Sequence, residues 1–236
     1  MANWARVFDH VGETASEVLA SVIEAVRTLF AGDPQTRRKV AFSIAMIALS
    51  AKMAKADGIV TEEEVAAFQQ IFAIPPGEER NVARFYNLAK RDVAGYQAYA
   101  ERIAGMCSDE AFEEAVLEDI LEGLFHIAKA DGVLHDKESA FLADIARIFG
   151  IGEDRYAAIF ERHVRGDDAD PYRVLGVAHD ADLSIIKKRY RKLVADNHPD
   201  RLIARGVPQE FVAVANERTA TFNAAFEAIE RERQAA

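Results

Sequence analysis

At 236 residues the chain is long enough for one large or two small domains, and half of its residues are apolar, so a packed core is affordable on composition alone. A formal net charge of −10 argues against general nucleic-acid binding, because the field of an acidic body repels phosphate. Cys107 is the only cysteine, which excludes an intramolecular disulfide and a cysteine-based metal centre and fits a reducing cytoplasm, the expected location.

The pattern predicts an amphipathic helix over 3–30. Trp4, Val7, Phe8, Val11, Val18, Leu19, Val22, Ile23, Val26, Leu29 and Phe30 fall on one stripe, with Asp9, Glu13, Glu17 and Glu24 opposite. A membrane-surface helix usually carries Lys and Arg on that face, so packing on the body or on a partner helix is the first expectation and peripheral membrane contact the second. The longest uncharged run, Val40 to Ala51, is too short to cross a bilayer, and no signal-peptide pattern opens the chain.

From 35 to 164 only helices are expected, over 36–55, 62–73, 78–90, 94–106, 109–129, 136–149 and 153–164. Gly58, Pro75-Pro76-Gly77, Asp92, Ser108-Asp109, Gly132 and Gly150 mark the breaks. An internal repeat lies inside this stretch. Ala54-Lys55-Ala56-Asp57-Gly58-Ile59-Val60-Thr61-Glu62-Glu63-Glu64 recurs as Ala128-Lys129-Ala130-Asp131-Gly132-Val133-Leu134-His135-Asp136-Lys137-Glu138. Each copy ends a long helix and starts a shorter one, which predicts a pseudo-symmetric bundle. The repeated turn resembles that of the TerB (tellurite-resistance) fold, a helical bundle that carries it twice.

Asp57, Glu64, Asp131 and Glu138 are the candidate metal ligands of this part. Four carboxylates brought together across a pseudo-twofold could hold a hard divalent cation through oxygen, and the TerB resemblance implies the same. The structural alternative uses the glycines as left-handed helix ends and Thr61-x-x-Glu64 as a capping box, with no cofactor required. His10, His126, His163 and His179 are scattered without ligand spacing. No phosphate-binding loop, nucleophile elbow or triad is present, so the chain is not expected to be an enzyme.

Arg165-Gly166-Asp167-Asp168-Ala169 reads as a short polar linker. It leads into a segment of different charge: residues 170–236 hold ten acidic and eleven basic side chains, net +1, and residues 1–169 hold 29 and 18, net −11. Ile186, Tyr190 and Leu193 make one apolar face of a helix that must stop before Pro199, since proline disfavours helical geometry in the residue ahead of it. Its other face carries Lys187, Lys188, Arg189, Arg191 and Lys192. A second helix is expected from near Pro208, with Phe211, Ala215, Phe222, Phe226 and Ile229 on its apolar stripe. The two would form an antiparallel hairpin with His198-Pro199-Asp200 at an exposed tip.

The blocks Asp170-Pro171-Tyr172-Arg173-Val174-Leu175-Gly176-Val177, Ile186–Leu193, His198-Pro199-Asp200 and Phe222–Ile229, in this order, resemble the J-domain. Leu202–Val207 lengthens the loop, as in DjlA-type J-proteins, which also place a TerB-like domain ahead of the J-domain. The expected organisation is therefore an all-α chain: an N-terminal helix (1–34), a TerB-like bundle (35–164), a linker (165–169) and a J-domain helical hairpin (170–236). The resemblance implies a co-chaperone. The basic helix would dock on a DnaK-type heat-shock chaperone, and His198, Pro199 and Asp200 would promote that partner's ATP hydrolysis. The bundle would choose the site of action or the client protein. The alternative is a metal-binding stress-response protein in which the J-like tail is accessory. DjlA-type proteins usually begin with a membrane-spanning helix, a feature the 3–30 stripe does not match.

Overall fold

A computed structural model of the chain describes residue 24 and residues 33–57, 62–71, 79–91, 95–106, 114–164 and 168–235. Nearly all of the 3–30 segment, the first-copy turn 58–61, Pro75-Pro76-Gly77, Cys107 and linker residues 165–167 lie outside the described residues, as do the side chains of Asp57 and Glu64. Every described element is helical.

Helix α1 (Pro34–Asp57) opens on Asp33, whose carboxylate accepts the Thr36 N–H at 3.0 Å, with Pro34 at the first helical position. From Val40 to Ala54 every residue of α1 is buried, so it has no solvent face. It is the central helix of the body. Around it pack α3 (Glu79–Arg91), α4 (Tyr96–Gly105), α5 (Glu114–Ala128) and α6 (Asp136–Ile148); α2 (Glu62–Ile71) lies on α5, and α7 (Glu153–Val164) closes the unit. The expected spans 36–55, 62–73, 78–90, 94–106, 109–129, 136–149 and 153–164 correspond to α1 to α7. Phe42, Phe85, Phe125 and Phe141 are fully buried in the shared core. Even Lys52 is enclosed, with its ammonium 4.1 Å above the Tyr99 ring.

The rest of the chain supplies α8 (Pro171–Leu175), α9 (Leu183–Asp196), α10 (Pro199–Ala204), a 3₁₀ turn (Gln209–Phe211) and α11 (Val212–Ala235). Asp170 caps α8 through the Tyr172 N–H at 3.0 Å, and Gly176 ends it at φ +64° with the Val177 N–H returning to the Tyr172 carbonyl. Helices α9 and α11 are antiparallel: Lys187 meets Glu230, and Tyr190 stacks on Phe226 with 4.4 Å between ring centroids. Tyr172, Val174, Leu175, Ile186, Leu193, Phe222, Ala225 and Ile229 form the core of this hairpin.

Two expectations for the hairpin change. The segment after Asp200 forms a further short helix, α10, and the long helix starts at Val212, because Pro208 first leads a 3₁₀ turn. His198 and Asp200 stay exposed as expected, but the chain that follows them is anchored. Leu202, Val207, Phe211, Val214 and Ala215 are buried in the core of the body rather than in that of the hairpin. Phe211 meets Phe42 of α1 edge-to-face, with 5.3 Å between centroids. Helix α11 therefore serves two cores, the body with its first turns and the hairpin with its later ones.

Candidate functional site

Asn197 ends α9. It is buried, and its side-chain amide donates to the Leu193 carbonyl at 2.7 Å. His198 follows in extended geometry and caps α10, its Nδ1 accepting the Asp200 N–H at 3.2 Å. In the neutral ring that bond leaves the proton on Nε2. Pro199 takes the first helical position, where its missing N–H costs nothing. The side chains of His198 and Asp200 are 60% and 89% exposed. The triplet is thus held by its backbone and presents a ring and a carboxylate to solvent.

The cations expected beside it divide into three kinds. Lys188 and Arg191 are exposed on α9. Lys187 pairs with Glu230 at 3.1 Å, and Lys192 pairs with Asp196 at 3.3 Å. Arg189 is half-buried and donates from Nε to the Leu175 carbonyl at 3.1 Å, tying α9 to the end of α8. It belongs to the fold more than to the exposed stripe. Asp196 also holds Arg201 at 2.6 Å, so its carboxylate gathers a cation from each side of the triplet.

Behind the loop lies a buried charge network that the sequence reading did not anticipate. Asp119 on α5 receives Arg205 on one carboxylate oxygen and Arg218 on the other, both at 2.9 Å. One turn on, Glu122 binds Arg162 and His163 of α7, and Arg218 approaches it at 3.5 Å. Arg162 reaches across to the Val174 carbonyl at 3.5 Å and lies 5.1 Å from the centre of the Phe222 ring. Glu161 accepts the Asp170 N–H at 2.8 Å. Burial would push the Glu122 carboxyl up, but Arg162, Arg218 and His163 override it and hold the group well below the usual range. Burial pushes the Asp119 carboxyl up against the pull of Arg218 and Arg205. The one signal for this network in the sequence is Asp119 and Glu122 themselves, two acids three residues apart in a helix rich in Leu, Ile and Val.

The repeated turn is described in its second copy. Gly132 sits at φ +87°, the left-handed conformation that ends a helix. Asp131 accepts the Val133 N–H at 2.9 Å, and Glu138, buried, accepts the His135 N–H at 3.0 Å as α6 begins. His135 lies 3.7 Å from Asp131. Among the described residues no three His, Cys, Asp or Glu side chains gather as a metal site, and no helix is long and apolar enough to cross a membrane.

Comparison with known proteins agrees with this layout. The family described as tellurite resistance protein TerB matches residues 43–161, and the DnaJ domain family matches 170–232. A protein named co-chaperone protein DjlA from Photobacterium profundum is 30% identical over 222 residues, covering 83% of this chain and 79% of that one. Its namesake from Coxiella burnetii is 30% identical over 201 residues, covering 77% and 73%. That from Vibrio cholerae is 26% identical over 242 residues, covering 87% and 83%. No solved structure matches.

Proposed function

This chain belongs to the family of the DjlA co-chaperones, a TerB domain followed by a DnaJ domain, and from that premise we propose that it stimulates ATP hydrolysis by a DnaK-type heat-shock chaperone. The observation that carries the reading is the exposure of His198 and Asp200 at the end of a helix whose open face bears Lys188, Arg191 and Lys192. The cations would meet an acidic surface of the partner, and His198 and Asp200 would then engage its ATPase domain. Complementary charge mainly accelerates encounter. A chain that is acidic elsewhere confines that attraction to the hairpin. The effect on the partner is a shift toward a hydrolysis-competent state, so this chain performs no chemistry of its own.

The helical body would select the client or the place of action, in the cytoplasm, and needs no cofactor. In this reading Asp131 closes the turn and Glu138 caps α6, supported by their bonds to backbone N–H groups. The test is steady-state ATP hydrolysis by a bacterial DnaK-type chaperone with wild type, His198→Gln and Asp200→Asn. Stimulation by wild type that both variants lose is expected. No stimulation at saturating wild type refutes the reading.

A further inference from the structure

The DnaJ-type loop of this chain is built on two foundations. Up to Asn197 it rises from α9 of the hairpin, and from Leu202 onward it descends into the helical body. Leu202 and Val207 are fully buried in the body's core. Between them Gly206 sits at φ +91° and closes α10, with its N–H on the Ile203 carbonyl and the Val207 N–H on the Leu202 carbonyl, both at 3.0 Å. The Gly206 backbone lies so close to α1 that a Cβ there would fall 2.3 Å from the Cβ of Arg38 and 3.1 Å from its carbonyl carbon. Arg38 in turn reaches the Ala204 carbonyl at 3.5 Å.

Arg205 joins the two foundations. One guanidinium nitrogen donates to Asp119 of the body at 2.9 Å and to the carbonyl of Asp196, the last residue of α9, at 3.3 Å. The body therefore grips both ends of the triplet, the descending end through buried apolar contacts and the ascending end through Arg205. His198 and Asp200 remain open to solvent between them.

We propose that the helical body fixes the conformation of the His198-Pro199-Asp200 loop for its partner, with Arg205 as the positioning residue that connects body to loop. The proposal rests on the reading that this loop stimulates a DnaK-type ATPase. A loop already ordered gives up less conformational freedom on docking, so its loss should weaken binding and leave the maximal effect in place.

The test titrates the partner's ATPase with full-length wild type, Arg205→Leu, Arg205→Lys and Asp119→Asn, alongside hydrogen exchange of amides 197–207. Arg205→Leu leaves Asp119 paired with Arg218, and Asp119→Asn keeps an acceptor in place, so the fold has two independent chances to survive. Arg205→Leu is expected to raise the half-saturating concentration roughly five- to tenfold at unchanged maximal stimulation, with Asp119→Asn in the same direction and Arg205→Lys partly restored. Exchange of 197–207 should accelerate while α5 and α11 keep their protection. Half-saturation equal to wild type, or unchanged exchange of 197–207, overturns the positioning role. Wild type that stimulates nothing overturns the functional reading instead, and the exchange data then report separately whether Arg205 holds the loop.

Discussion

Replacing Phe211 by Ala tests the joint between body and hairpin most directly. The ring is fully buried, stands edge-to-face on Phe42, and packs on Gly123, where a Cβ would lie 2.8 Å from Phe211 Cε2. Removing a buried Phe costs about 3–5 kcal/mol, part transfer and part cavity. Gly123 has no side chain to fill the hole, but the flexible Met46, whose Cε would lie 2.8 Å from the same Cβ, can move into it. That places the expected loss near the lower bound, about 3 kcal/mol, or a fall of roughly 6–12 °C in Tm for a chain of this size. The assay is urea and thermal unfolding followed by circular dichroism. Wild type should unfold in one transition, since α11 belongs to both cores, and Phe211→Ala should unfold earlier, with the hairpin separating from the body. A loss under about 1 kcal/mol, well below the range for a buried aromatic, would show that Phe211 does not seal the joint and would refute the shared-core reasoning.

Glu122→Gln should destabilise the chain by about 3–5 kcal/mol in the same assay, because it leaves Arg162 buried without its counter-charge and Arg218 with Asp119 alone; a change within error would show that the charges are solvated. Below neutrality, stability should decline. Burial lowers the pKa of His126 and of His163, against the pull of Glu217 and Glu122 respectively, so the unfolded chain binds these protons first and stability falls as pH drops below about 6.5. The slope is at most about 1.4 kcal/mol per pH unit for each histidine. Glu122 works in the opposite part of the range: its contribution stays intact above the unfolded value of 4.5 and is lost as pH falls through its lower folded pKa. His163→Gln should flatten the decline between pH 7 and 5, measured by Tm, and an unchanged slope would remove His163 from the account. Asp131→Ala should cost about 0.5–1.5 kcal/mol as a lost turn hydrogen bond; calorimetric titration of wild type and Asp57→Asn/Asp131→Asn with calcium, magnesium and zinc should give no heat, and heat lost in the variant would establish a cation site. Stimulation of the partner ATPase should weaken with salt and with Lys188→Glu or Arg191→Glu, and salt-independent stimulation would exclude charge steering.

The parts of this protein that the sequence reading caught are those written in local patterns. Helix spans followed from 3.6-residue periodicity and from glycine and proline breaks. Pro199 marked the end of α9 because a proline constrains the residue before it. The repeat announced the turn at Gly132 because left-handed geometry selects glycine. The exposure of His198 and Asp200 followed from their place between two amphipathic helices, whereas their role is what the resemblance to the J-domain implies. Tertiary structure alone decided where the loop rests. Leu202, Val207 and Phe211 read equally well as apolar residues of the hairpin or of an interface, and nothing in their spacing names a partner surface. Asp119 finds Arg205 and Arg218 across 86 and 99 residues of chain. Pairing at that range leaves no periodic trace, because it depends on how two finished units fit together. The same fit separates Arg189, turned toward Leu175, from the cations that remain on the open face of α9.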